Sequence, residues 1–469
     1  MTATISKPAS RLGLVLAVCC LAQFMNVLDA SVMNVALPSI FDELKFERHH
    51  LQWVNSAYTI AVCGFLLLGG RLADLFGQRR VFFLGAALFT VASAVGGMAT
   101  SPGTLIAARG FQGLGAAVMA PASLTVLGTT FTDPTARAKA FGWWSAVSGS
   151  AGAVGVLLGG IVTESLGWRW VLLINVPLGI TLMAMIRGAV PETPSNGGRK
   201  GLDVPGATSV TIGLMALVYG IAQSHEYGWG SWQVSGSLVL AVVLFAFFLR
   251  QQMVSDHPLM PLGIFRNRAV TAANIVAFFA IAALFSTFYF LTLVMQQVMG
   301  FGPLATGLGY LPLSIGIAVG GFGVARIVPK IGPRPVLIAG LLTACLGLLW
   351  VSTADETSTF LGSVLVPTTL LGLGMGAVLN ATTNAATSGV PREQTGLASG
   401  LLNTIRQMGS AIGLVVLATM SSARADSLLA QGEPLQHSLG SGYGLALFGA
   451  GVFTFCGALA ALAVPKNRS

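Results

Sequence analysis

A chain of 469 residues that is 54% apolar and only 9% charged, with a net charge of +9, departs from soluble proteins, in which about a quarter of residues are charged. A mean hydropathy of +0.78 with 59 glycines excludes a disordered chain, a collagen and an ordinary water-soluble enzyme. The apolar runs are continuous rather than alternating, which excludes a transmembrane barrel and leaves an all-α polytopic membrane protein.

The first apolar run follows Lys7 and Arg11 as a signal peptide would, but it continues to Ile40, too far for a cleaved leader. It reads as an uncleaved first span. Fourteen runs are long enough to cross about 30 Å of hydrocarbon. They lie near 12–37, 51–72, 81–99, 104–128, 138–162, 170–190, 204–222, 234–250, 269–297, 304–326, 335–352, 358–381, 397–420 and 443–464. The seventh and eighth are short and rich in Gly and Ser. With the N-terminus inside, the cytoplasmic segments hold 19 of the 25 Lys and Arg residues, and the outer loops hold Lys45, Arg48, Arg169 and Arg424. That bias supports fourteen transmembrane helices with both termini cytoplasmic. The surplus positive charge faces an anionic inner leaflet. It does not form a basic face with interleaved aromatics, so no nucleic acid is expected as a partner. Asp42, Glu43 and Glu47 read as a solvated outer loop. The five cysteines all fall inside apolar runs, as small buried hydrophobes with no metal-binding spacing.

The chain resembles itself. Gly77 and Arg79, after the second span, match Gly332 and Arg334, after the tenth. Gly113-Leu114-Gly115 in the fourth span matches Gly372-Leu373-Gly374 in the twelfth. The repeat predicts two six-helix bundles, residues 1–190 and 266–469. Residues 191–265 then supply a linker and two inserted central spans. Parallel halves with a site between them near the midplane is a transporter architecture. The halves differ where charge is concerned, since Thr368 stands where Arg109 stands and Pro329 where Asp74 stands.

Gly70-Arg-Leu-Ala-Asp74-Leu-Phe-Gly77-Gln-Arg79-Arg80 is similar to the signature loop between spans two and three of the major facilitator superfamily. Leu28-Asp29-Ala-Ser31-Val-Met-Asn34-Val-Ala-Leu-Pro38 resembles the first-span motif of its fourteen-span drug:proton antiporter branch. Arg109-Gly-Phe-Gln112-Gly113-Leu-Gly115 resembles the proton-relay motif of the fourth span. Trp168-Arg169-Trp170, Asn175-Val-Pro177 and Phe265-Arg-Asn-Arg268 also fit that branch. The resemblance implies that Gly70, Asp74, Gly77, Arg79 and Arg80 form a conformational latch. The antiporter pattern of the fifth span ends Gly-Pro-x-x-Gly-Gly. Here Gly155, Gly159 and Gly160 keep its helix-packing face, while Val156 replaces the proline that would bend the span.

Charges at membrane depth are expensive and line cavities or pair with one another. Only Asp29, Arg109 and Arg406 lie well inside spans. An Arg beside a carboxylate favours its ionised form and dehydration favours the neutral one. Alternating access changes both, so Asp29 and Arg109 are the candidate proton-coupling pair. Arg406, with Asn403 and Gln407, either contacts a polar or anionic substrate or bonds backbone carbonyls of a neighbouring helix. Asn26, Asn34, Tyr58, Gln112, Tyr289, Asn403 and Arg406 are candidate substrate contacts. Trp143, Trp144 and Phe288 read as packing or interfacial anchors.

No Walker Gly-x-x-x-x-Gly-Lys-Ser/Thr occurs, and no soluble segment is long enough for a catalytic domain, so the chain is not expected to be an enzyme. The expected function is export of small amphiphilic compounds (drugs, antibiotics or metabolites) by proton antiport. The proton gradient is the energy source, with no cofactor or metal. The expected setting is a bacterial cell membrane, with the lipid bilayer, protons and a small-molecule substrate as partners and a monomeric state. A proton symporter or facilitator of a polar small molecule is the alternative within transport. A non-transporting membrane sensor or scaffold is the alternative of another class.

Overall fold

A computed structural model describes residues 9–47, 50–51, 53–131, 133–192, 203–255, 258, 262–355, 358–387 and 395–465. Among them every regular element is helical. The first half comprises α1 (Ala9–Leu44), α2 (Trp53–Phe76), α3 (Gln78–Gly97), α4 (Pro102–Thr130), α5 (Pro134–Ser165), α6 (Arg169–Leu173) and α7 (Asn175–Ala189). Two further helices follow, α8 (Val204–Tyr227) and α9 (Trp232–Val254). The second half comprises α10 (Arg268–Leu293), α11 (Pro303–Gly309), α12 (Leu311–Ile331), α13 (Pro333–Val351), α14 (Val366–Thr387), α15 (Thr395–Ala430) and α16 (Leu435–Ala461). A π-helical turn, Val294–Val298, extends α10, and another, Phe360–Leu365, precedes α14.

Among the described residues, twelve helices are long and apolar enough to cross a membrane, which makes this a multi-pass membrane protein. The short seventh and eighth runs, now α8 and α9, are among them. The two that fall outside the twelve are α2 and α5, whose described apolar stretches are Trp53–Leu66 and Val154–Ser165. Both helices nevertheless run 24 and 32 residues, long enough at 1.5 Å per residue to cross the hydrocarbon.

Local sequence explains several of the helix starts. Ser101, Asp133, Asp203 and Ser231 each accept a hydrogen bond from a backbone N–H of the first turn, and Pro102, Pro134 and Pro205 occupy positions that need no N–H donor. Asp203 is buried and also accepts from Gln252 Nε2 at 2.6 Å, so the end of α9 is clasped to the start of α8. This second buried acid is not apparent from the hydropathy pattern, because it stands at the edge of a run.

The internal repeat is visible in the packing. In the first half α1 packs on α5, α2 and α3 on α4, and α3 on α7. In the second half α10 packs on α15, α12 and α13 on α14, and α13 on α16. In lipid such pairs are held by close van der Waals contact rather than by exclusion of water, so small residues mark the crossings. A side chain at Gly115 would come 2.8 Å from the Gly85 carbonyl. At Gly374 it would likewise run into the carbonyl of Gly340. Gly77 and Gly332, the other matched pair, begin α3 and α13 with φ of +92° and +81°, which L side chains adopt only under strain. Gly77→Ala is therefore expected to cost about 1–3 kcal/mol, read as a lowered thermal midpoint of the detergent-solubilised protein.

Several spans differ from the sequence reading, the thirteenth running to Ala430 rather than ending near 420 and the fourteenth starting at Leu435 rather than near 443. The first does not end near residue 37 but continues through Pro38 to Leu44, because a proline inside a helix removes one N–H donor without stopping the chain when neighbours pack around it. The sixth is broken at Ile174 into α6 and α7, and the tenth at Tyr310 into α11 and α12.

The halves meet along α5 against α11 and α12, α2 against α15, and α1 against α10, and α8 bridges α2 and α15. Among the described residues, two side-chain hydrogen bonds join the halves directly. Gln296 Nε2 donates to the Val35 carbonyl at 3.1 Å, and Leu304 N donates to Glu164 Oε2 at 3.0 Å. Both lie toward the end at which α1 terminates, so that end is bridged.

Candidate functional site

Four helices of the first half converge on Asp29, which is 1% exposed and stands near the middle of α1. Arg109 and Gln112, three residues apart on α4, share one helix face. Arg109 Nη1 donates to Asp29 Oδ2 at 2.5 Å and to Gln112 Oε1 at 2.7 Å. Gln112 Nε2 donates to Asp29 Oδ1 at 2.7 Å and to Ser93 Oγ of α3 at 2.6 Å. Asn175 Nδ2, at the start of α7, donates to Asp29 Oδ1 at 2.8 Å. Arg109 Nε donates to the Val54 carbonyl of α2 at 3.2 Å, and its guanidinium lies 4.4 Å from the centre of the Tyr58 ring. A buried charge needs both a counter-ion and hydrogen bonds to its remaining atoms. This pair has both, and the matched second-half position lacks them: Thr368 bonds only to its own helix, at Val364 O, 2.6 Å away, and at Leu365 O.

The structure thus joins Asp29, Arg109, Gln112 and Tyr58 in one cluster and adds Ser93 and Asn175. Ser93 has no sequence signal beyond being a polar residue in an apolar run. Asn175 stands in the Asn-Val-Pro motif, which marks it without saying what it touches. Of the other candidate substrate contacts, Asn34 is buried and accepts from Asn55 Nδ2 at 2.7 Å, linking α1 to α2. Asn26 has a buried Oδ1 with no hydrogen-bond partner. Tyr289 is buried edge-on to Phe290 at 5.0 Å, and Asn403 is half-buried on α15. Arg406 Nη2 donates to the Leu379 carbonyl at 3.2 Å and to Thr383 Oγ1 at 2.9 Å, both on α14. The carbonyl-bonding reading of Arg406 therefore describes this conformation.

In the loop between the second and third spans, Gly77 turns the chain from α2 into α3. Arg79 donates to the Arg187 carbonyl of α7 at 2.5 Å and pairs with Glu192, just past the end of the first half, at 3.1 Å. Arg80 is exposed. The side chains of Arg71 and Asp74 lie outside the described residues, and Gly70 is described only as part of α2. Glu43 is not part of a solvated loop. It sits on the last turn of α1, where it pairs with Arg169 and accepts from Trp168 Nε1 at 2.7 Å. The extra turns of α1 carry it to the start of α6.

The glycine face of α5 is used on two sides. A side chain at Gly155 would come 2.8 Å from Ser31 Cβ, and one at Gly159 would meet Val32 of α1 at 3.1 Å. At Gly160 it would meet Pro303 O at 2.6 Å. Val156 is buried, and its carbonyl lies against Gly307 of α11. This helix is therefore wedged between the two halves. Gly155→Leu would push α5 off α1, and overpacking of this kind costs about 1–3 kcal/mol. About a tenfold loss of transport rate, at unchanged membrane insertion, is the expected result in vesicles.

Buried charge at the centre of one helical half and two packed helical repeats are the architecture of a membrane transporter of the helical-bundle class. The family model of the Major Facilitator Superfamily matches residues 19–414, and the chain belongs to that family. It is similar to the cephamycin export protein CmcT of Amycolatopsis lactamdurans, with 41% identity covering 93% of this chain and 89% of the relative. It is also similar to the puromycin resistance protein of Streptomyces alboniger, with 40% identity covering 87% and 82%. Among solved structures it shares its fold with an auto-inhibited POT family peptide transporter. The TM-score is 0.70 at 15% identity, covering 98% of each chain.

Proposed function

We propose that the protein exports small amphiphilic compounds, of the drug, antibiotic or metabolite class, from a bacterial cell in exchange for protons. The observation that carries this reading is the fully ligated Asp29–Arg109 pair at the centre of the first half. A titratable acid at that depth marks a functional site by default, and proton relays are one use of such a group. The relatives' names, one a cephamycin exporter and another a puromycin resistance protein, support export of antibiotics. In this reading fourteen spans, α2 and α5 included, place both termini in the cytoplasm of a monomer. Residues 1–190 and 266–469 rock against each other, and residues 191–265 ride between them.

Asp29 takes a proton from outside and gives it up inside, while Arg109 holds the ionised form. Asp74, beside Arg79 and Arg80, acts as a latch on conformational exchange rather than as a substrate ligand. Asn26, Asn34, Tyr58, Gln112, Tyr289, Asn403 and Arg406 are the candidate substrate contacts, with Arg406 released from α14 when substrate takes its place. The test is export from everted vesicles with and without a proton gradient. The reading expects export only with the gradient.

Substrate charge follows from the same residues. Each unpaired charge near the midplane costs several kcal/mol, and Asp29 is the only acid well inside a span. A monoquaternary dye is therefore expected to be exported and its bis-quaternary analogue to be left behind. Equal proton-dependent export of both contradicts this expectation.

A further inference from the structure

Asn175 is fully buried. Its Nδ2 is bonded to Asp29 Oδ1, yet its own Oδ1 is buried with no hydrogen-bond partner. A residue kept only for packing gains nothing from a half-satisfied amide, which an apolar side chain of the same volume would avoid. The orientation of the amide is set by charge, since reversing it would place Oδ1 against an ionised carboxylate oxygen.

The backbone around Asn175 is broken on purpose of sequence. Pro177 has no N–H, so the Leu173 carbonyl loses the partner it would have four residues on, and Ile174 separates α6 from α7. The α6 side is tied to α1 through Glu43, by Arg169 and by Trp168. The α7 side packs on α1 and α3. Arg109 and Gln112 reach Asp29 from α4. Asp29 is thus ligated from two different helices, α4 and α7. Among the described residues, the charged or titratable groups facing it are Arg109 from α4 and Tyr58 from α2. The third helix, α3, brings only Ser93, through Gln112.

We propose that Asn175 is a positioning residue for Asp29, holding the carboxylate ionised while the start of α7 stands against α1 and yielding it to a proton when α7 withdraws. The proton comes from bulk water, forms one O–H bond at Oδ1 where Asn175 Nδ2 had donated, and leaves by the reverse step. This rests on the reading of Asp29 as the proton carrier.

The test uses the full chain in proteoliposomes under an imposed proton gradient, with a monoquaternary fluorescent dye as probe. The pH of half-maximal dye exchange is the readout. Asn175→Leu removes the donor and moves that pH upward by about one unit, a tenfold change in proton affinity. Asn175→Asp, which keeps the volume and adds a second carboxylate, moves it further up, and it decides the matter if the Leu variant fails to fold. Asn274→Leu, which removes a buried amide of α10 remote from Asp29, leaves the profile where it was. Asn175 variants that titrate with the wild type, in a protein that Asp29→Asn inactivates, overturn this proposal alone. Proton-coupled export that survives Asp29→Asn overturns the export reading on which it rests.

Discussion

Asp29→Asn removes proton-driven export while the protein still folds and inserts. The replacement is isosteric, and an amide at this position still accepts from Gln112 and Asn175. Arg109 keeps Gln112 Oε1, the Val54 carbonyl and the Tyr58 ring as partners. What disappears is the group that changes charge. Loss of a positioned proton-transfer group costs about two to four orders of magnitude in rate, and among the described residues Arg109 pairs with no acid but Asp29. Export from everted vesicles is expected to fall at least about a hundredfold, with unchanged membrane insertion and a lowered melting point, because Arg109 then lacks its counter-ion. An Asn variant that exports at the original rate contradicts the assignment.

Arg109→Ala is the second large effect, and it acts through stability as well as transport. Removing one partner of a buried pair leaves the other charge uncompensated, at a cost of about 3–5 kcal/mol. Asp29 is 1% exposed and water does not reach it to make up the loss. The single variant is therefore expected to melt well below the wild type and to lose export. Asp29→Asn combined with Arg109→Gln removes both charges and keeps two amides in their place. It is expected to recover most of the melting temperature and none of the proton coupling, as measured by thermal unfolding and vesicle export side by side. A double variant as unstable as Arg109→Ala contradicts the pairing.

Composition and run length made the helical membrane class legible, because lipid admits few ways of satisfying a backbone. The repeat was legible at Gly77 and Gly332, since a positive φ leaves a residue signature. The pairing of Asp29 with Arg109 followed from their being lone charges at depth. Their ligands were less visible. Gln112 reads from sequence as a substrate contact because nothing in its spacing says that it turns toward α1 and α3. Asn175 and Ser93 are ordinary polar residues until three helices close on them. Helix ends were the weakest point: the first span reads from sequence as ending near residue 37 and instead runs through Pro38 to Leu44, which brings Glu43 to Arg169. Whether Arg406 faces substrate or a neighbouring helix is a question of packing, and the bond to Leu379 answers it for this conformation only through the fold of α14.

Proton movement during substrate addition is the most direct measurement. In proteoliposomes holding a trapped pH indicator, a pulse of exported dye is expected to shift internal pH with the wild-type protein and to leave it unchanged with Asp29→Asn. Dye flux through the wild type without any proton movement, or an equal pH shift with Asp29→Asn, contradicts exchange at Asp29.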